Sequence, residues 1–478
     1  MTPDRETCYQ AVLSRDRRFD GWFYVAVSST GIYCRPVCPV RAPKLENCTF
    51  YDSAAQAEHA GYRPCLRCRP ERAPGHGLLD VSSRLAQAAA EMIGAGFLND
   101  ANLDDLAARI GVTARHLRRI FEAEFGVSPL DYAQTQRLLL AKRLLTESTL
   151  PAAQVALAAG FGSVRRFNDV FGRRYGMTPA RLRKQVQPAM PDTLTLELGW
   201  RPPFAWDALL YGLADHAVDG VERIAHGTYA RTLVVSRDGH AHAGWLSVAN
   251  LPERHAVRVT ASATLTPVLA AVLAQVRRAF DLDCRPDLVD ARLGDLGRAM
   301  PGLRVPGAFD GIEIAARCIA MRQWPLAQAR LWLRRVADRF GTPVEGAPAG
   351  LRVAFPSASR LARLRPDELR ATGLSETGAR QLLTLAGDVA SGRVSLEPYA
   401  PLDDTLDHLR NAIGLDEWAV QTIAMRALGW PNAFPVGDPL GPTAVLASGA
   451  QGGAQWAPWR AYAAQHLTGT SADRMNAA

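Results

Sequence analysis

Lysine is almost missing from this chain. Of its 55 basic residues only Lys44, Lys142 and Lys184 are lysines, and arginine supplies the rest. Without a lysine beyond residue 184, Schiff-base chemistry on lysine is excluded from the C-terminal half. Long apolar runs are also missing. None reaches the ~20 residues that a membrane-spanning helix needs, and the polar start Met1-Thr-Pro-Asp-Arg-Glu is not a secretion signal. A cytoplasmic, nucleoid-associated protein without a membrane partner is therefore expected. Cysteine is scarce after residue 68, with only Cys284 and Cys318 beyond it. Crowding of the other six at one end of a long chain argues against a disulfide framework, which belongs to short secreted domains.

What is present fits a soluble multidomain protein. The 478 residues, 48% apolar and 21% charged, suffice for three or more domains, each with its own core. The net charge of +8 is unevenly placed. Residues 1–190 hold 26 Lys and Arg against 18 Asp and Glu, and the remainder holds 29 of each. The excess therefore lies in the first 190 residues, where attraction to nucleic acid should be strongest.

Cysteines dominate that basic region. Cys34 and Cys38 form one close pair, Cys65 and Cys68 another, and 26 residues separate them. Two such pairs can converge on one tetrahedral Zn²⁺, leaving Cys8 and Cys48 as ordinary buried thiols. Arg35, Arg41, Arg63, Arg67 and Arg69 surround the motif. Four thiolates on Zn²⁺ carry a net charge near −2 and are strongly nucleophilic. Spacing alone leaves open whether the site is structural or reactive.

The flanking residues narrow this. Arg18-Phe19-Asp20-Gly21, the run Thr30 to Cys38, Phe50-Tyr51 and the run Gly61 to Pro70 closely resemble the N-terminal domain of the Ada adaptive-response proteins. That resemblance implies that Cys34 accepts a methyl group irreversibly from a DNA methylphosphotriester. It also implies zinc ligation by Cys34, Cys38, Cys65 and Cys68, with Arg35 and Arg67 facing DNA. Methylation would remove a negative charge from a surface turned to phosphates, so DNA affinity should rise.

A Pro/Gly hinge at 72–77 leads into a helical pattern. Leu103, Leu106, Ala107 and Ile110 form an apolar stripe, Gly111-Val112-Thr113 breaks it, and the next helix carries Leu117, Ile120 and Phe121 inward with Arg115, His116, Arg118 and Arg119 outward. The design recurs after Pro151: Val155 and Ala158 face inward, Gly160-Phe161-Gly162-Ser163 turns, and Val164 to Arg174 carries Arg165, Arg166, Arg173 and Arg174. Helix, turn and basic helix, twice over, predict two helix-turn-helix units. With Phe125-Gly-Val-Ser-Pro129, Tyr175-Gly-Met-Thr-Pro179 and Ala159-Gly-Phe161, the region resembles the AraC-type regulators. Promoter DNA and RNA polymerase are the partners this implies.

Past Pro188 the texture changes again. Thr193 to Leu198, Thr232 to Val235 and Ala256 to Thr260 read as strands, Pro267 to Phe280 as a helix, and the chain beyond about 295 as mostly helical. Trp200-Arg-Pro-Pro-Phe-Ala-Trp206, Tyr229-Ala-Arg231, Pro301 to Gly307, Ile423 to Gly429 and Pro458-Trp-Arg460 with Tyr462 resemble 3-methyladenine DNA glycosylase II, the AlkA family. By that resemblance Asp438, in Phe434-Pro-Val-Gly-Asp438, is the catalytic carboxylate, Gly414 belongs to a DNA-gripping helix-hairpin-helix, and Trp418 lines the base pocket. An anion at Asp438 would stabilise positive charge on the sugar or orient water once the base is flipped out.

Three departures stand against the match, one of them Thr468 where the family often has a tryptophan. The family hairpin Pro-Gly-Ile-Gly is here Ile413-Gly-Leu-Asp416 followed by Glu417, and the family's Gln-Gln-Val-Ser helix start is here Arg322-Gln-Trp-Pro325. A flexible glycine is lost, and two carboxylates stand where a phosphate should lie. An active glycosylase and a half that only binds DNA both remain open. No Pro-Cys-His-Arg phrase is present, so no repair of O6-methylguanine is expected. The expected fold is multidomain and mainly α with α+β parts. It comprises a zinc domain (1–76), a double helix-turn-helix (80–186), an α+β domain (192–295) and an all-α helix-hairpin-helix domain (296–470).

Overall fold

The computed structural model describes residues 3–75, 84–183, 191–435 and 453–469. The N-terminal unit is a small sheet flanked by α1 (Arg5–Ser14) and α2 (Ala54–His59). Its strands are β1 (Tyr24–Val27), β2 (Ile32–Cys34), β3 (Cys48–Tyr51) and β4 (Arg63–Pro64), in the order β3-β1-β2-β4. The β1–β2 register pairs Val25 with Cys34, which fixes Cys34 at the end of its strand. Cys8, Val25, Phe23 and Cys48 pack with the four motif cysteines in one small core.

Helices follow. Helix α3 (Arg84–Gly94) precedes the first helix-turn-helix, formed by α4 (Leu103–Ile110) and α5 (Ala114–Phe125). The capping box of Asn102 with Asp105 starts α4, and Gly111 at φ +82° ends it, a backbone state that glycine reaches without Cβ strain. Leu103, Leu106, Ala107 and Ile110 are buried as their spacing requires. The long α6 (Pro129–Glu147) connects to the second unit, α7 (Ala152–Ala158) and α8 (Val164–Tyr175), closed by α9 (Pro179–Leu182). In both units a left-handed glycine (Gly126, Gly176) ends the second helix. Ser128-Pro129 or Thr178-Pro179 then starts the next, the hydroxyl accepting from an amide in the first turn. The two matching phrases are thus matching stop–start signals.

The next unit is a five-stranded antiparallel sheet with α10 (Trp206–His216) and α11 (Leu269–Ala279) against it. Its strands are β5 (Thr193–Gly199), β6 (Glu222–Ala225), β7 (Thr228–Arg237), β8 (His240–Leu251) and β9 (Ala256–Ser262), ordered β5-β9-β8-β7-β6. Its core does not stop at the expected boundary: Phe167 and Phe171 of α8 belong to the same apolar cluster as Leu196, Leu246 and Phe280. The second helix-turn-helix unit and the sheet domain therefore share a core.

After α12 (Pro286–Leu293) and α13 (Asp295–Ala299) the chain becomes a helical array. Helices α14 (Gly311–Met321), α15 (Leu326–Phe340), α16 (Ala358–Leu361), α17 (Pro366–Arg370), α18 (Glu376–Ala390), α19 (Leu402–Asp407) and α20 (Glu417–Arg426) follow, with the two-residue strands β10 (Thr342–Pro343) and β11 (Val353–Ala354) between α15 and α16. Helix α21 (Arg460–Gly469) ends the described chain. A second core, including Ile319, Trp332, Leu382 and Ile423, fills this half. Among the described residues no helix is long and apolar enough to cross a membrane.

Buried ion pairs tie the units together. Lys142 of α6, 1% exposed, lies 2.5 Å from Glu71 of the N-terminal unit. Removing Glu71 would strand the buried ammonium at a cost of about 3–5 kcal/mol, whereas Glu71 would keep Arg69 at 3.0 Å if Lys142 were lost. Arg72 pairs with Glu147 of α6 and with Glu197 of β5.

Candidate functional site

The fold brings the four motif cysteines to one point. The sulfurs of Cys34, Cys38, Cys65 and Cys68 all lie within 4.8 Å of one another, and all four residues are buried. Zinc held at about 2.3 Å by four thiolates separates them by about 3.8 Å, so the cluster fits the ion. Cys34 comes from the end of β2, Cys38 from the turn after it, and Cys65 and Cys68 from the turn after β4. The sulfurs are not equivalent. The Arg67 amide donates to Cys65 Sγ at 3.3 Å, and the Arg35 amide to Cys68 Sγ at 3.4 Å. The Val40 amide faces Cys38. Among the described residues no backbone N–H donates to Cys34. Donated hydrogen bonds draw electron density from a thiolate, and Cys34 is the sulfur spared them. Cys8 and Cys48 share the same small core but are not among the four converging sulfurs, and their thiols donate to the Pro3 and Lys44 carbonyls.

Arg35 does not occupy the DNA-facing position expected of it. Its guanidinium makes a two-point ion pair with the buried carboxylate of Asp20 and donates to the Cys68 carbonyl at 3.1 Å. With 12% side-chain exposure it braces the centre from inside. The resemblance to the Ada domain places it outward, toward DNA. The only signal for its partner was Asp20 within the quoted Arg18-Phe19-Asp20-Gly21 run. Arg67 and Leu66 are exposed at the rim. A second brace was also missed, because Lys142 Nζ donates to the Cys65 carbonyl at 3.3 Å.

The helix-turn-helix faces match their pattern. Arg115, Arg118 and Arg119 on α5 are exposed, as are Arg165 and Arg166 on α8, while Leu117, Phe121, Phe167 and Phe171 are buried. Arg174 turns away: it donates to the Glu58 carbonyl of α2 at 2.5 Å. The Glu58 carboxylate, 0% exposed, accepts from Tyr33, Thr135 and Tyr175. Burial pushes it up to about 7 against these donors and Arg174. Tyr33 precedes Cys34, and Tyr175 ends α8. One carboxylate therefore joins the strand of the zinc centre to a recognition helix.

In the helical half, Gly414 stands at φ +74°, and its carbonyl accepts from Gln381 at 2.7 Å. Asp416 caps α20 by accepting from the Ala419 amide and pairs with Arg322; Glu417 pairs with Arg410. The two hairpin carboxylates are thus individually matched by guanidinium groups, which weakens the repulsion that the sequence suggests. Trp418, 8% exposed, sits in the helical core with Ile413 and Ala419. A cavity of about 640 Å³ opens where the units meet, with Asp281, Met425, Trp430, Trp459 and Tyr462 in its wall. Tyr462 donates to the Asp281 carboxylate at 2.7 Å. Asp438 lies outside the described residues.

These features agree with known proteins. Residues 7–71 match the metal-binding domain of Ada, 106–185 a helix-turn-helix domain and 195–310 the N-terminal domain of AlkA. A Mycobacterium tuberculosis protein described as a probable bifunctional transcriptional activator/DNA repair enzyme AlkA is 35% identical over 488 residues, covering 98% of this chain and 96% of that one. The chain belongs to this Ada–AlkA family of bifunctional activators and DNA repair enzymes. Its two parts also have separate relatives. DNA-3-methyladenine glycosylase 2 of Escherichia coli is 32% identical over 274 residues, 56% of this chain and 95% of that one. The bifunctional transcriptional activator/DNA repair enzyme Ada of Escherichia coli is 34% identical over 188 residues, 38% of this chain and 49% of that one. In this family member the Arg72–Glu197 ion pair and a hydrogen bond from Arg143 to the Glu197 carbonyl join the two parts.

Proposed function

We propose that this chain removes methyl groups from DNA methylphosphotriesters onto Cys34, uses the methylated form to activate transcription, and excises alkylated purines such as 3-methyladenine. The observation that carries the reading is the four-cysteine cluster in which, among the described residues, Cys34 alone has no amide donor. Bound Zn²⁺ would keep the four sulfurs deprotonated at neutral pH. The Cys34 lone pair attacks the methyl carbon, the C–O bond breaks, and its electrons leave with the phosphate as an ordinary diester anion. Sulfur becomes a neutral thioether, so the surface facing DNA loses one negative charge. Exposed Arg67 on the rim and the arginines of α5 and α8 would then meet phosphates with less opposition, and RNA polymerase is the partner of an activator so bound.

In the second activity an alkylated purine, already cationic, leaves with the glycosidic electrons while water adds to the sugar. Asp438 would stabilise the charge on the sugar or orient that water. The left-handed Gly414 and the Arg322–Asp416 pair support a hairpin still shaped to meet a DNA backbone. Double-stranded DNA, alkylated or at a promoter, is the common partner. The test is incubation of the full chain with duplex carrying methylphosphotriesters, followed by intact mass and peptide mapping. One methyl group on Cys34, absent in Cys34→Ala, is expected; methylation elsewhere, or none, overturns the reading.

A further inference from the structure

The zinc centre is braced by a residue from the far side of the chain. Arg201, 0% exposed, belongs to the segment that follows β5. Its Nε donates to the backbone carbonyl of Asp20 at 3.0 Å, its Nη2 to that of Gly75 at 2.6 Å, and its Nη1 to that of Asp283 at 2.8 Å. The Arg201 carbonyl in turn accepts from the fully buried Arg304 at 2.6 Å. Asp20 is the residue whose carboxylate holds Arg35, and Arg35 touches Cys68 twice, through its amide to the sulfur and through its guanidinium to the carbonyl. The order of contact is Arg201, Asp20, Arg35, Cys68.

The neighbourhood of Asp20 has little room to adjust. Gly21 stands at φ +76°, and a Cβ there would lie 2.0 Å from the Pro74 carbonyl oxygen. The Trp22 ring lies under the Arg285 guanidinium at 4.1 Å and stacks on Phe19 at 5.2 Å. Segment 19–22 is therefore pressed between the zinc cluster and the AlkA-like half. A shift of the Asp20 backbone would carry its carboxylate, and Arg35 with it.

We propose that Arg201 is a positioning residue for the methyl-acceptor centre: by fixing Asp20 it sets how Arg35 addresses Cys68, so the AlkA-like half tunes the zinc thiolates. The inference rests on the zinc-thiolate reading above. An amide hydrogen bond at the Cys68 sulfur and a cationic guanidinium on the Cys68 carbonyl lower the electron density of the whole cluster, because the thiolates share one ion. Loosening Arg35 should therefore make the sulfurs more basic and more reactive, and should weaken the hold on the metal. A carbonyl clamp at a domain seam would otherwise affect stability alone.

The test uses the full chain with Co²⁺ in place of Zn²⁺, and the Zn²⁺ form with methyl iodide as a DNA-free electrophile. Three variants are compared with the parent: Arg201→Met, Asp20→Asn and Arg277→Met. Arg277 donates to the Ala73 carbonyl and pairs with Asp283 at the same seam without touching Asp20. For Arg201→Met and Asp20→Asn alike we expect a shifted cobalt–thiolate spectrum, several-fold faster metal loss to a chelator and an altered pH profile of sulfur methylation. Arg277→Met should match the parent in all three. If Arg201→Met fails to fold, Arg201→Lys, which keeps the charge but cannot reach three carbonyls at once, is read the same way. Parent-like spectra and metal loss in the Arg201 variant overturn the proposal, as does an equal change in Arg277→Met. Failure of any form to bind cobalt through sulfur would instead sink the underlying zinc reading.

Discussion

Arg322 Nε lies 2.5 Å from Asp416 Oδ2, so two of the sites where the C-terminal half departs from the AlkA pattern hold each other. A carboxylate that would repel a DNA phosphate arrives with its own counter-charge, and the same carboxylate caps α20. Both side chains remain partly exposed, at 49% and 34%, which leaves them accessible to a strand laid across the hairpin.

From this pairing a double-mutant cycle follows. Arg322→Ala leaves Asp416 uncompensated and should weaken DNA binding about fivefold, the effect of roughly 1 kcal/mol of screened repulsion. Asp416→Asn keeps a capping oxygen and removes the charge, so it should bind at least as well as the parent. The double variant should bind better than Arg322→Ala alone. Binding by titration at fixed salt checks this; strictly additive effects would show that the pair is not coupled.

Glu58 should give the protein a recognisable pH dependence. Its folded value of about 7 lies above the ordinary 4.5 because burial disfavours the carboxylate. A raised value means that the folded state binds the proton more tightly, so this stabilising contribution is complete below about 4.5 and lost as pH rises through about 7. The full shift corresponds to about 3 kcal/mol. In Glu58→Gln that dependence should be absent, and the variant should gain on the parent between pH 4.5 and 7. Parallel melting curves for the two proteins across that range would count against it.

Metal removal should act locally first. The N-terminal core is built around the cysteines themselves, and structural zinc supplies folding free energy. Stripping the ion should abolish hydrogen-exchange protection in β1, β2 and β3 and leave α14 and α15 protected. It should also raise exchange near Lys142, whose ammonium rests on the Cys65 carbonyl. Equal protection with and without metal would contradict this.

The exposed arginines of the recognition helices should behave as phosphate or base contacts, and Arg35 should not. Arg118→Ala and Arg166→Ala should each lower the salt slope of DNA binding by about one. Arg35→Met should disturb the zinc centre instead, since its guanidinium belongs to Asp20. A slope change for Arg35→Met with an unaltered metal site would reverse that assignment.

Local pattern made the helices legible. The stripe from Leu103 to Ile110, the glycine stops at Gly126 and Gly176, and the Ser-Pro and Thr-Pro starts are all read within a few residues. The cysteine cluster was legible because ligand spacing is itself a short-range signal. Strands β6 and β8 were missed: β6 is only four residues long, and β8 begins with half-exposed His240-Ala-His-Ala, whose small residues give a weak alternation. Arg35 was misplaced for a different reason. Its surroundings come from Asp20, and no local pattern reports a partner chosen by tertiary packing. The Arg322–Asp416 pair joins residues far apart in the chain, so two apparent defects in the sequence are one contact in the fold.

The most direct test is one incubation of the parent, Cys34→Ala and Asp438→Asn with duplex DNA carrying both methylphosphotriesters and 3-methyladenine. Released base and protein mass are recorded together. The parent should gain one methyl group on Cys34 and release 3-methyladenine without nicking the strand. Cys34→Ala should lose only the first activity and Asp438→Asn only the second. Base release that persists in Asp438→Asn, or a parent that releases no base and gains no methyl group, would contradict the account.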